Sequence, residues 1–177
     1  MVDDQRELAV TVIGPDRPGI IADVTGVLAG LGLNLADSTM TLLRGHFTMM
    51  LICVGAAEAG AVQDAFGPLT ADGGLVVAVR AVAAGTESGT DEQPNFMLTV
   101  HGADRPGIVA AVTRVIADAG GNITDLSTRL AGDLYVIVAE VDLPTGADPD
   151  ALSARLADVA AGLGVGAHLR PAEADLL

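Results

Sequence analysis

The chain has 177 residues, half of them hydrophobic, and its formal net charge is −14. This charge opposes binding to nucleic-acid phosphates and to anionic membranes, where basic patches supply much of the affinity. Three Phe, one Tyr and no Trp leave little surface on which bases can stack. We therefore expect a protein that binds neither nucleic acid nor membrane directly.

The sequence also predicts a cytoplasmic location. Its longest uncharged apolar stretch, residues 47–57, is about half of the roughly 20 residues that a membrane-spanning helix requires. The charged N-terminus is unlike a secretory signal peptide. The only cysteine, Cys53, excludes an internal disulfide, and its apolar sequence neighbours predict a buried strand thiol rather than a reactive one.

One heptapeptide is written twice, as GPDRPGI at Gly14–Ile20 and as GADRPGI at Gly102–Ile108. The match continues on the flanks without a gap, with Val24-Thr25 and Val112-Thr113, Gly32 and Gly120, Asn34 and Asn122, and Asp37 and Asp125 in equivalent positions. Such a long period is typical of a duplicated domain rather than a solenoid repeat. We predict two domains, residues 6–83 and 95–171, joined by a flexible polar linker at 84–94.

In the first repeat, apolar periodicity predicts alternating strands and helices. The helix that begins near Ile20 should end at Gly30 and Gly32, and Arg44-Gly45 should form the turn of a hairpin. Gly60 weakens the second helical pattern. The predicted strands are 8–13, 34–42, 46–54 and 75–79, and the predicted helices are 20–31 and 57–66.

The second repeat predicts the same order, with a better defined final helix, because Asp148 can cap it and Pro149 suits its first turn. Its predicted strands are 95–101, 122–130, 134–141 and 164–169, and its helices begin near Ile108 and Pro149. A βαββαβ unit forms a four-stranded antiparallel sheet with both helices on one face. We predict an α+β chain of two ferredoxin-like domains, whose bare faces and edge strands pair within the chain and between chains.

The repeated loop joins a strand to the start of a helix, where unpaired backbone N–H groups and the helix dipole favour an anion. Asp16 and Asp104 could accept a bond from a ligand ammonium or merely cap the helix. Arg17 and Arg105 could form a salt bridge or attract an anionic ligand. The residues alone leave two interpretations open. Either the loop binds a zwitterion, or both copies have inherited a turn-forming sequence that binds nothing.

Asp-Arg-Pro-Gly-Ile between a strand and a helix, followed by Gly32-Leu33-Asn34 and Gly120-Gly121-Asn122 at the next strand, resembles the ACT domain. Two such copies in one chain resemble the stand-alone tandem ACT proteins, including the glycine cleavage system transcriptional repressor group. The resemblance implies sensing of a small molecule, usually an amino acid, at interfaces between paired domains. It also implies action through a protein partner, a transcription regulator or a metabolic enzyme, rather than through DNA. We further predict a homodimer and no cofactor.

Carried over by motif, the resemblance marks the two loops and the two asparagines as ligand-binding residues. They are Asp16, Arg17, Pro18, Gly19, Ile20 and Asn34, and Asp104, Arg105, Pro106, Gly107, Ile108 and Asn122. The copies differ beside the loop, with Ile13 where the second copy has His101. One functional site per chain is therefore compatible with the sequence.

No nucleophile, nucleotide or metal motif is present, so we predict no enzyme, no catalytic residue and no metal site. The histidines are His46, His101 and His168, and none stands in a metal-ligand spacing. Two hypotheses about them stay open: His101 could touch a ligand, or all three could converge on a metal. For the whole chain, the alternatives to a sensor are a ligand-free interaction module and a separate regulatory subunit of an amino-acid metabolic enzyme.

Overall fold

The structure is a computed structural model that describes residues 5–82 and 95–172. The chain divides into two compact units, Met1–Glu87 and Ser88–Leu177. The predicted linker at 84–94 lies outside the described residues, so it stays a prediction.

Unit 1 alternates strands and helices as the sequence predicts. Its elements are β1 (Arg6–Pro15), α1 (Ile20–Gly30), β2 (Asn34–Leu43), β3 (His46–Gly55), α2 (Ala59–Ala65), α3 (Gly67–Thr70) and β4 (Val76–Val82). The strands form one antiparallel sheet in the order β2-β3-β1-β4. Only α3 is not among the predicted elements; it carries a proline in its first turn, where proline is tolerated.

Unit 2 repeats this arrangement. Its elements are β5 (Asn95–Ala103), α4 (Ile108–Asp118), β6 (Asn122–Ala131), β7 (Leu134–Asp142), α5 (Pro149–Gly162) and β8 (Val165–Pro171). The strands again form an antiparallel sheet, in the order β6-β7-β5-β8. The predicted α+β class with two ferredoxin-like domains is confirmed.

Each core lies between the sheet and its helices, and aliphatic side chains supply most of it. In unit 1, alternate residues of β1 and β3 face the helices; Val10, Phe47 and Leu51 are fully buried. In unit 2, the corresponding buried residues of the central strands are Leu98, Val100 and Ile137. Because one face of each strand is buried, a shift of one residue in register would expose the whole apolar set.

The β2–β3 hairpin turns at Arg44 and Gly45, as predicted, with φ angles of 50° and 82°. Two successive positive φ angles are typical of a type I′ turn, which matches the twist of a hairpin. The turn lies beside the strand-to-helix loop, because the Asp16 N–H donates to the Gly45 carbonyl at 3.0 Å. The hairpin tip and the first repeated loop therefore share one end of the sheet.

Helix α5 carries the predicted cap. Asp148 Oδ1 accepts from the N–H groups of Asp150 and Ala151, both at 3.0 Å, and Pro149 occupies the first turn. These bonds satisfy two of the four N–H groups that a helix start leaves without partners.

We expect Asp148→Ala to lower the free energy of unfolding by about 1 kcal/mol, because those two N–H groups lose their acceptor. Urea unfolding followed by circular dichroism measures this change. Asp158→Ala, which removes an exposed carboxylate later in the same helix, is the matched control and should change stability by less than about 0.5 kcal/mol. Equal effects of the two variants would contradict the cap.

Cys53 is fully buried on β3, which confirms the predicted strand thiol. Burial raises the pKa of the Cys53 thiol, so it forms less thiolate at any given pH than an exposed cysteine.

We expect a thiol reagent at pH 8 to label the native chain far more slowly than the chain in urea. Rapid stoichiometric labelling of the native protein would show that this part of the core is open.

Candidate functional site

The repeated loops end in glycines that start the helices. Gly19 and Gly107 are the N-caps of α1 and α4, with φ angles of 85° and 94°. Neither helix has a side-chain cap. The hypothesis that Asp16 and Asp104 cap the two helices is therefore wrong. The loops are exposed, and the first turn of each helix offers its N–H groups without a competing side-chain acceptor.

The conformation of the two glycines explains why they are glycine. A Cβ built on either residue would meet nothing within 4 Å, so close packing does not require a glycine there. The left-handed backbone conformation requires a glycine, because a residue with a side chain in this conformation costs about 1–2 kcal/mol. The residue type is therefore accounted for by the turn, whether or not a ligand approaches.

The two motif arginines have different surroundings. Arg17 Nη2 lies 2.7 Å from Asp23 Oδ2, an ion pair whose two side chains are both about half exposed. The position equivalent to Asp23 in the second repeat is Ala111, and Arg105 has no ion pair among the described residues. Its guanidinium lies beside Gly164, where a Cβ would stand 3.3 Å from Nη1. Arg105 therefore has a guanidinium available for an anion, whereas the Arg17 guanidinium is paired with Asp23.

The asparagines lie at the other end of each sheet. Along β3, Asn34 is paired with Val54, and Pro15, which precedes the loop, is paired with His46. These positions are eight residues apart, or about 27 Å of strand. In unit 2, Asn122 opposite Asp142 and Ala103 opposite Leu134 repeat this separation. Within a unit, the structure does not bring the asparagine and the loop together.

An open groove of about 480 Å³ adjoins the first loop. Its lining combines Asp16, Arg17 and Gly19 with apolar residues that include Ile21 and Met40. Neither Ile21 nor Met40 is among the predicted site residues, because both lie in apolar sequence patterns that are typical of a core. Ile21 is 43% exposed and Met40 44% exposed, so they belong to a surface instead.

A second open groove of about 480 Å³ holds Asn122. Its wall on α4 carries Thr113 and Arg114, and neither was predicted. Arg114 is the only charged residue of α4 before Asp118, which could have marked it as unusual. This groove offers a cation and a carboxamide in one depression, the donors that a carboxylate requires.

The edge strands between these positions are uncovered. All ten residues of β2 are exposed, and in β6 all but Ile123 are. Both strands carry a bulge at the same place, after Leu35 and after Ile123. On the helix side, Met40, Leu42, Leu126 and Leu130 expose between 39% and 50% of their surface. Unpaired backbone and apolar side chains together make each edge a surface for another strand.

The three histidines are divided between the two units. His46 lies in unit 1 at the hairpin, and His101 and His168 lie on neighbouring strands of unit 2. Within residues 5–82 and 95–172, no group of three or more His, Cys, Asp or Glu residues could hold a metal ion. In the same residues, no helix is both long and apolar enough to cross a membrane.

Two comparisons with protein-family models agree with this architecture. Residues 6–76 match one model described as an ACT domain, and residues 96–152 match a second ACT domain model. The two matches cover most of the chain, one in each unit. The chain belongs to the ACT domain family. It is a tandem ACT protein.

Similar proteins extend this result. A UPF0237 protein of Listeria monocytogenes is 48% identical over 44 residues, which are 25% of this chain and 49% of that protein. The chain thus spans about half the length of the curated relatives it matches. The crystal structure of an unknown protein from Galdieria sulphuraria has a TM-score of 0.77 and 29% identity, covering 95% of this chain and 99% of that chain. A protein proposed to be a glycine cleavage system transcriptional repressor shares the fold, with a TM-score of 0.67, 19% identity and coverage of 94% and 96%.

We expect Gly19→Ala and Gly107→Ala each to lower the free energy of unfolding by roughly 1 kcal/mol, because alanine is strained at these φ angles. Gly26→Ala is the matched control. Gly26 lies inside α1 with open space around its Cα, and alanine there should raise stability by about 0.5–1 kcal/mol. Urea unfolding measures all three. Loop variants as stable as the parent would contradict the conformational explanation.

Proposed function

We propose that this chain is a regulatory sensor of a small molecule, an amino acid, which binds where two ACT domains meet. Two ACT domains and the absence of any catalytic motif in the sequence support this role. One observation carries the proposal: in both repeats the helix after the motif begins without a side-chain cap, beside an exposed Asp-Arg pair. Free N–H groups suit a carboxylate, and the aspartate suits an ammonium.

The separation of loop and asparagine favours a site shared between domains. Antiparallel pairing of two edge strands of this type puts the end of one strand beside the start of the other. Such pairing would bring the loop of one ACT domain next to Asn34 or Asn122 of another. It would also cover the exposed apolar residues of β2 and β6. We propose this arrangement for the ligand site, with a homodimer supplying further domain pairs.

The arginines favour the second loop as the one that holds the carboxylate. Arg17 is engaged by Asp23, whereas Arg105 has no carboxylate partner in the described part of the chain. A charge-assisted hydrogen bond to a free guanidinium contributes about 1.5–3 kcal/mol. The first loop would then act mainly through its aspartate and its backbone.

Ligand binding would regulate a protein partner, a transcription regulator or a metabolic enzyme. A ligand that binds one arrangement of the domains better than another shifts their populations, and the partner responds to that shift. A charge of −14 disfavours a direct role on DNA. In this proposal the chain is not itself an enzyme, and it works in the cytoplasm.

A thermal-shift screen against the twenty amino acids tests the sensor. At 100 times its dissociation constant, a ligand should stabilise the chain by about 2.7 kcal/mol, which is several degrees in melting temperature. Silence across the set at millimolar concentrations would overturn the amino-acid proposal.

A carboxylate placed beside Arg105 tests whether the second loop holds the carboxylate of the ligand. Ala111→Asp gives Arg105 the partner that Arg17 already has, and we expect it to weaken binding of the screened ligand roughly tenfold or more. Asp23→Ala frees Arg17 and should leave binding unchanged or tighter. Calorimetric titration of both variants measures the change. If Ala111→Asp bound like the parent, Arg105 would have no part in the site.

A second candidate function is a protein-interaction module that binds no metabolite, or a separate regulatory subunit of an amino-acid metabolic enzyme. The exposed apolar edges of β2 and β6 favour it. It predicts a stable complex in a pull-down and no response to any amino acid. The thermal-shift screen separates it from the sensor.

A further inference from the structure

Two histidines meet on the open face of the second sheet. His101 of β5 and His168 of β8 have ring centroids 5.6 Å apart and ring planes 14° apart. His101 is paired with Gly166, and His168 is paired with Thr99, so the rings are diagonal neighbours on the face away from the helices. Both residues are exposed, and neither imidazole has a hydrogen-bond partner among the described residues.

The His101 ring lies directly over Gly166. A Cβ built on Gly166 would lie 3.0 Å from Cε1 and 3.2 Å from Nε2 of that ring, closer than most real Cβ contacts. Glycine at this position therefore lets the imidazole lie low over β8. In unit 1 the equivalent pairs are Ile13 with Val76 and Thr11 with Ala78, so the first repeat has neither the histidines nor the glycine.

We propose that His101 and His168 form a two-imidazole site for a divalent transition-metal ion such as Zn²⁺. Two nitrogens bound to one tetrahedral Zn²⁺ stand roughly 3.3 Å apart, since each Zn–N bond is about 2.0–2.1 Å. Rings 5.6 Å apart reach this spacing when rotation of the side chains turns their nitrogens towards each other. Both residues are exposed, so this rotation requires no change in the core.

The surrounding residues select the class of ion. The nearest positions on the same face are Thr99, Val136 and Val138, and none of them is a carboxylate. Glu140, the next residue of β7 on this face, lies opposite Met97, and β5 separates its strand from that of His168. Imidazole without carboxylate favours Zn²⁺, Ni²⁺ or Cu²⁺ and disfavours Mg²⁺ and Ca²⁺. Arg170 follows on β8 and adds a positive charge nearby, which weakens the site. With two protein ligands, water or another donor completes the coordination, and the ion exchanges.

Zinc titration of the tag-free, chelator-treated chain tests this site by calorimetry, with Mg²⁺ as the control ion. We expect one Zn²⁺ per chain, and a rise of tenfold or more in the dissociation constant for His101→Gln and for His168→Gln. Losing a residue that only orients a metal ligand already costs about 10–100-fold. His46→Gln is the matched control, because His46 is exposed and lies in the other unit. It should bind Zn²⁺ like the parent.

Gly166→Ala gives a second, independent test, because its Cβ crowds the His101 ring by a few tenths of an ångström without removing a ligand. We expect weaker Zn²⁺ binding with an unchanged far-ultraviolet circular dichroism spectrum. No zinc binding by the parent at millimolar concentration would overturn the proposal. Equal losses in the three Gln variants would also overturn it, because they would indicate adventitious binding to single imidazoles.

Discussion

The alternating burial along the two central strands of each sheet is the constraint on which the rest of the structure depends. Val10 on β1 and Leu51 on β3 are buried against the helices, as Val100 and Ile137 are in unit 2. This pattern fixes the register, because a slip of one residue would turn the apolar set to solvent. The register then places each Asp-Arg-Pro-Gly loop at one end of the sheet and each Asn at the other.

The local elements followed from the sequence because their causes are local. Asp148 and Pro149 define the start of α5, and Arg44-Gly45 defines a hairpin turn, through chemistry that lies within a few residues. The separation of Asn34 from the loop was missed, although it follows from the predicted hairpin once the register is traced. The Arg17–Asp23 ion pair and the His101–His168 contact depend on side-chain directions and cross-strand neighbours, which no periodicity in one chain specifies.

The two repeats share a backbone plan and differ in chemistry. Both keep the glycine cap and the edge-strand bulge, and these features depend on the path of the chain. They differ at the cation beside the loop, at the groove that Arg114 lines, and on the open face, where Ile13 is replaced by His101. Differences confined to exposed positions leave stability nearly unchanged. They fit the proposal that the two copies contribute unequally to ligand binding.

The central claim is that a loop and an asparagine act together on one ligand. Calorimetric titration of the amino acid found by screening, with the double variants Asp16→Ala/Asp104→Ala and Asn34→Ala/Asn122→Ala, tests it most directly. The account predicts that each pair of substitutions abolishes binding and leaves the fold intact. If the asparagine variant bound with the affinity of the parent, the loops alone would form the site, and the shared site between ACT domains would be wrong.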